Sequence, residues 1–294
     1  MFNLSLKHIL IYCTLLLACI QPSMAGIVIN DTIASNILGE AVPLKVYLPN
    51  NFKQAPEQHY PVLYLLHGLS DNEQCWMEKG QMDRVVDEFI ASGEAQEMVV
   101  IMPCAGGPDI RNTWNGYFNM EGWNYEDFFF KELLPTIEEK YRAGGCRNQR
   151  AIAGLSMGGG GSVNYALDYP DMFCACYAMS AWLGSNKHLR TPEKRATDKF
   201  SLLTEAVDKL AAVKLLETMT QDELKTLRSV AWFIDCGDDD FLLEQSELLP
   251  MKMRHLRIPE QFRVRNGDHN WEYWHTALRI CLPFVSRNMG EKND

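Results

Sequence analysis

The chain has 294 residues and a formal net charge of −10, from 28 Lys and Arg against 38 Asp and Glu. That balance, with no basic run to offset it, argues against nucleic acid or an anionic lipid surface as a partner. A hydrophobic share of 47% is that of a globular protein and excludes a disordered one.

The first 25 residues read as an export signal rather than as part of the fold. Lys7 gives a weakly positive start, Ile9 to Ile20 is an apolar run too short to span a bilayer comfortably, and Pro22 breaks it. Ser23-Met24-Ala25 resembles a small-x-small cleavage site, so Gly26 is the expected first residue of a periplasmic or secreted protein. A competing reading takes Leu16-Leu17-Ala18-Cys19 as a lipoprotein box with lipid on Cys19, although Leu17 fits that pattern poorly. No later segment is apolar for long enough to form a membrane span. Residues 26–294 carry no repeat, low-complexity stretch or linker, and they suffice for one large domain. Seven of the nine cysteines lie there, an odd number, so at least one thiol is unpaired. Cys174 and Cys176 share one face of an expected strand and are poorly placed to bond each other.

Alternating apolar positions in Leu44 to Pro49 predict an early antiparallel strand. Val62 to Leu66 and Met98 to Met102 are continuous apolar runs, the pattern of strands buried on both faces. Tyr125 to Tyr141 has helical spacing. Further strands are expected at Arg150 to Gly154, Phe173 to Met179, Val230 to Asp235 and Phe262 to Arg265. Alternation of strands and helices predicts an α/β fold, a mostly parallel central sheet with helices on both faces. Between Trp182 and Arg228 the chain turns charged and helix-rich (Lys199 to Leu216, then Asp222 to Leu227), as expected for a helical insertion near the active site.

Gly154-Leu155-Ser156-Met157-Gly158 follows a short apolar strand and opens a helix, the setting of a nucleophile elbow. A serine hydroxyl needs an adjacent base, itself oriented by a carboxylate. Ser156 is the candidate nucleophile. His269, in the loop Asn266 to Trp271 beyond the last strand, is the candidate base; His59, His188, His255 and His275 are less well placed. The acid comes from Cys236-Gly237-Asp238-Asp239-Asp240, past a buried strand, and three adjacent aspartates leave the choice open. Acid and histidine follow the serine in the chain order of an α/β-hydrolase. An oxyanion needs two backbone donors. The amide of Met157 is one, and the loop His67-Gly68-Leu69 supplies the other, Leu69 first and Gly68 second; His67 is expected to be structural. Trp114, Trp182, Trp271 and Trp274 are candidates for an apolar platform, with Trp182, Trp271 and Trp114 taken as substrate-binding. The spacing of His269, Glu272 and His275 drifts around a helix, so no metal is expected.

On these motifs the chain resembles the esterase D family of α/β-hydrolases, which holds S-formylglutathione hydrolases, feruloyl and acetylxylan esterases, and mycolyltransferases. The likeness rests on Val46-Tyr47-Leu48-Pro49, Leu65-Leu66-His67-Gly68, Gly154 to Gly159, Cys236 to Leu242 and Gly267-Asp268-His269-Asn270-Trp271. In that family the acid precedes Phe-Leu, which implies Asp240. The family's His-Asp-Trp stands here as His269-Asn270-Trp271, a departure beside the base. The resemblance implies an exported serine carboxylesterase acting without a cofactor on acetyl or feruloyl esters of carbohydrate, with an acyltransferase of the mycolyltransferase type as the alternative.

Overall fold

The structure, a computed structural model, describes residues 25–106, 116–184 and 199–290. Residues 1–24 of the expected signal, Trp114 and His188 lie outside the described residues.

Eight strands form one sheet: β1 (Ile27–Ala34), β2 (Ala41–Leu48), β3 (Val62–Leu66), β4 (Val99–Pro103), β5 (Arg150–Leu155), β6 (Ala175–Met179), β7 (Ala231–Gly237) and β8 (Glu260–Arg265). Their spatial order is β1-β2-β4-β3-β5-β6-β7-β8. β2 runs antiparallel to both neighbours, and every pairing from β4 through β8 is parallel. The predicted strands are all present, with ends shifted by a few residues.

β3 shows why the central strands read as unbroken apolar runs. Val62, Tyr64 and Leu66 enter the core on one face of the sheet, while Leu63 and Leu65 enter the core on the other. The period-two alternation of a strand thus serves two cores at once. On the first face lies α3 (Met157–Asp168), which follows β5; on the second pack α1 (Met82–Ser92) and the C-terminal α8 (Trp271–Asn288).

β1 and α1 are additions to the predicted elements. β1 is an edge strand in which Ile33 is the buried apolar residue, so it lacks a strong pattern. The helix expected over Tyr125 to Tyr141 is present but changes winding. An α-turn (Tyr125–Phe128) passes through a π-turn (Phe129–Leu133) into α2 (Leu134–Tyr141). Pro135 has no N–H for the carbonyl four residues back, which favours this wider turn.

The expected helical insertion comprises α4 (Lys199–Lys209), α5 (Ala212–Thr218) and α6 (Gln221–Leu227), between β6 and β7. Thr220 and Glu223 close a capping box at the start of α6. Leu203 of α4 is fully buried, and Gly116 lies packed between it and the Met157 sulfur, beside the elbow. α7 (Leu243–His255) joins β7 to β8. All seven cysteines among the described residues are free thiols. Among the described residues, no helix is long and apolar enough to cross a membrane.

Candidate active site

Ser156 stands between the end of β5 and the start of α3 with φ 53° and ψ −116°. A non-glycine residue holds such a backbone only where its surroundings enforce it. Here the Ser156 amide donates to the Met179 carbonyl at 2.9 Å, and its carbonyl accepts from Trp182 at 2.9 Å and Gly160 at 3.0 Å. The flanking glycines are steric requirements. A Cβ on Gly154 would stand 2.4 Å from the Gly158 carbonyl oxygen, and one on Gly158 would stand 2.5 Å from the carbonyl oxygens of Leu66 and His67. Helix and sheet approach too closely here for any side chain.

His269 Nε2 lies 3.0 Å from Ser156 Oγ. Its Nδ1 faces both Asp240 oxygens, at 3.0 and 2.9 Å. Of the three adjacent aspartates, Asp240 is therefore the one that faces the histidine. Asp238 instead accepts from the Gly267 amide at 2.9 Å, and Asp239 is exposed. Burial works to raise the Asp240 carboxyl. The hydrogen bond and charge of His269, with hydrogen bonds from Ser180 and the Leu242 amide, overcome it and hold the group below the usual carboxylate range. The site thus contains a fixed carboxylate, an imidazole and a hydroxyl in hydrogen-bonded series.

A cavity of about 160 Å³ opens on Ser156 Oγ and His269, lined also by Gly68, Leu69, Asp71, Trp182, Phe241 and Trp274. Leu69 and Trp182, both expected at the site, are among these lining residues. Trp271 lies outside this lining, edge-on to Trp76 and to Trp274 at ring separations of 5.2 and 5.3 Å. Phe241, 48% exposed, covers the His269 ring at 4.4 Å and extends the apolar wall. Met157 follows Ser156 directly as the first residue of α3, a position whose amide has no partner within the helix. His67 is structural: its Nδ1–H donates to the Gly68 carbonyl at 2.7 Å and its Nε2 accepts from the Ala105 amide at 2.9 Å. Full burial lowers its pKa, so the ring is neutral and fixes the Gly68-Leu69 backbone. His275 Nδ1 is bonded to the Gly80 carbonyl at 2.8 Å.

Sequence reasoning missed the framework beneath the acid and the base. Asp235, on β7, has a fully buried side chain. It accepts from Tyr177 and Tyr273 hydroxyls at 2.5 Å each and from Arg265 at 3.1 and 3.3 Å. The Arg265 guanidinium also lies over the Tyr273 ring at 4.2 Å. Tyr273 follows His269 by four residues and packs against Gly267, so this cluster sets the height of the histidine loop. Ser180, itself at φ 46°, accepts from Trp274 Nε1 at 3.1 Å and hydrogen-bonds Asp240. Neither residue belongs to a motif, and both act through contacts between segments distant in sequence.

Fold and site define an α/β-hydrolase of the serine-esterase class. The chain belongs to the Esterase family, whose model matches residues 35–284. It is similar to a solved ferulic acid esterase at 48% identity and a TM-score of 0.84, covering 90% of this chain and 100% of that one. It is 33% identical over 145 residues to the endo-1,4-beta-xylanase/feruloyl esterase of Xylanibacter ruminicola, a match spanning 48% of this chain and only 20% of that longer protein. An acetyl esterase of Caldicellulosiruptor saccharolyticus is 21% identical, over 80% of this chain and 86% of its own length.

Proposed function

We propose that the protein is an exported serine carboxylesterase that removes feruloyl groups from carbohydrate. The observation that carries this reading is the hydrogen-bonded series Asp240–His269–Ser156 at the floor of an aromatic cavity. Ser156 Oγ attacks the ester carbonyl carbon while His269 Nε2 takes its proton, and Asp240 holds the imidazole and stabilises its charged form. The amides of Leu69 and Met157 donate to the oxyanion. As the tetrahedral intermediate collapses, His269 returns the proton to the leaving sugar alcohol, giving a feruloyl-serine ester. Water, deprotonated by the same imidazole, then releases ferulic acid and restores the serine. Every step uses groups of the chain and water.

Phe241, Trp182 and Trp274 offer flat apolar surfaces suited to an aromatic acyl group, and the 48% identity to a ferulic acid esterase favours the same choice. Export, read from residues 1–25, fits a polymeric substrate outside the cell.

Release of acid from methyl ferulate and p-nitrophenyl acetate by residues 26–294 tests the reading. Turnover of both is expected, with a higher kcat/KM on the ferulate and loss of both in Ser156→Ala. Preference for the acetyl ester points to an acetyl esterase with the same machinery. Absence of turnover on either ester by the folded protein contradicts the esterase assignment.

A further inference from the structure

The backbone nitrogen of Gly26 lies 2.9 Å from Asp87 Oδ1, and the Tyr47 hydroxyl donates to the same oxygen at 2.7 Å. Asp87 is half-buried on α1, so these bonds link the start of β1 to a helix of the opposite layer. The position is shaped for glycine. A Cβ on Gly26 would stand 2.4 to 2.5 Å from the end of the Tyr47 ring. That ring is buried in the core, and its hydroxyl is tied to Asp87. Immediately upstream stands the small-x-small sequence Ser23-Met24-Ala25.

A glycine-shaped notch, a carboxylate and a cleavage sequence thus converge on one peptide bond. We propose that the Ala25–Gly26 bond is cut, and that Asp87 and Tyr47 form a receptor for the α-ammonium of Gly26. Hydrolysis by a leader-removing endopeptidase consumes one water: Ala25 leaves as a carboxylate and the Gly26 nitrogen becomes an ammonium. The uncut chain offers Asp87 a neutral amide N–H. That bond is already charge-assisted by the carboxylate; the cut chain offers a cation, which adds a Coulombic attraction to Asp87 that an amide lacks. Processing therefore strengthens the anchoring of the edge strand after export. The proposal rests on the export part of the reading above and is independent of the ester chemistry.

The test has two arms. The full chain is expressed in a bacterial host with a general secretory pathway, and the exported product's first residue is read by mass spectrometry; Gly26 is expected. A product beginning at lipidated Cys19, or at any residue other than Gly26, overturns the proposal but leaves export standing. A product retained in the cell with residues 1–25 intact overturns both. In the second arm, chains beginning at Gly26 and at Ala25 are each prepared with and without Asp87→Asn. The substitution is expected to lower Tm by about 2 °C or more in the Gly26 chain and less in the Ala25 chain. The Gly26 α-amino group, titrated by its rate of acylation, is expected to have a pKa above the usual ~8. Equal Tm losses in the two chains, or an ordinary α-amino pKa, overturn the receptor.

Discussion

The serine half and the acid-base half of this site are held by different physics. Ser156 is fixed by close backbone packing: glycines at 154 and 158 allow backbone atoms to approach where a Cβ would overlap, and backbone hydrogen bonds to Met179, Trp182 and Gly160 hold the strained turn in that space. Asp240 and His269 sit on two loops whose backbones could take many paths. They are fixed by buried polar contacts, Asp235 to Tyr177, Tyr273 and Arg265, and Ser180 to Asp240 and Trp274. A sterically locked half fails abruptly when a methyl group is added. A half held by hydrogen bonds fails in increments, one donor at a time.

The largest expected effect tests the hydrogen-bonded half at its chemical end. Asp240→Asn keeps the shape but is expected to lower kcat by about 10⁴-fold, because an amide neither sets the imidazole tautomer nor stabilises its charge. The native carboxyl titrates below its unfolded-state value near 3.9, so its contribution to stability is present above that pH and is lost as pH falls through the native pKa. Acid unfolding curves of the two proteins should accordingly converge at low pH. Persistent separation of the curves would remove Asp240 from the acid limb.

Next comes Gly158→Ala, the probe of the steric half. The added Cβ meets two carbonyl oxygens at 2.5 Å, so the variant is expected to lose about 1–3 kcal/mol in denaturant unfolding and most of its activity. Retained stability with full turnover would show that the elbow yields. In its effect on turnover, Tyr273→Phe should fall below both. It removes one of the donors on a buried carboxylate, with an expected stability loss of about 1–3 kcal/mol. Its kcat should drop with little change in KM, because the histidine loop shifts while the substrate wall stays. An equal rise in KM would place Tyr273 in substrate binding instead.

The smallest effect concerns His67. Burial holds its native pKa below the unfolded value near 6.5, so the unfolded chain takes a proton that the native one does not. Stability is expected to fall as pH drops below about 6.5 towards the native pKa, and His67→Asn should flatten that slope in Tm measured between pH 7 and 5. An unchanged slope would mean that another group carries it.

The same contrast explains what could be read from the sequence. The elbow was legible because steric necessity leaves glycines at fixed spacing, and the central strands were legible because burial on both faces leaves unbroken apolar runs. β1 was not, since one edge residue, Ile33, carries its buried apolar contact. Asp240 needed the family resemblance to separate it from Asp238 and Asp239. Asp235 and Ser180 left no local trace, because their partners lie tens of residues away and come together only in the folded sheet. Among the tryptophans, Trp182 and Trp274 line the cavity and Trp271 stands behind Trp274; the three-residue spacing of Trp271 and Trp274 on one helix does not by itself distinguish their two depths.

The central claim is that Ser156 carries the acyl group during turnover. The most direct measurement is quenched mass spectrometry of the enzyme mixed with excess p-nitrophenyl acetate, followed by peptide mapping. The account predicts a transient acetyl adduct on the peptide containing Ser156, absent in Ser156→Ala and accumulating far more slowly in His269→Ala. Turnover that persists in Ser156→Ala, or an adduct on another residue, would contradict it.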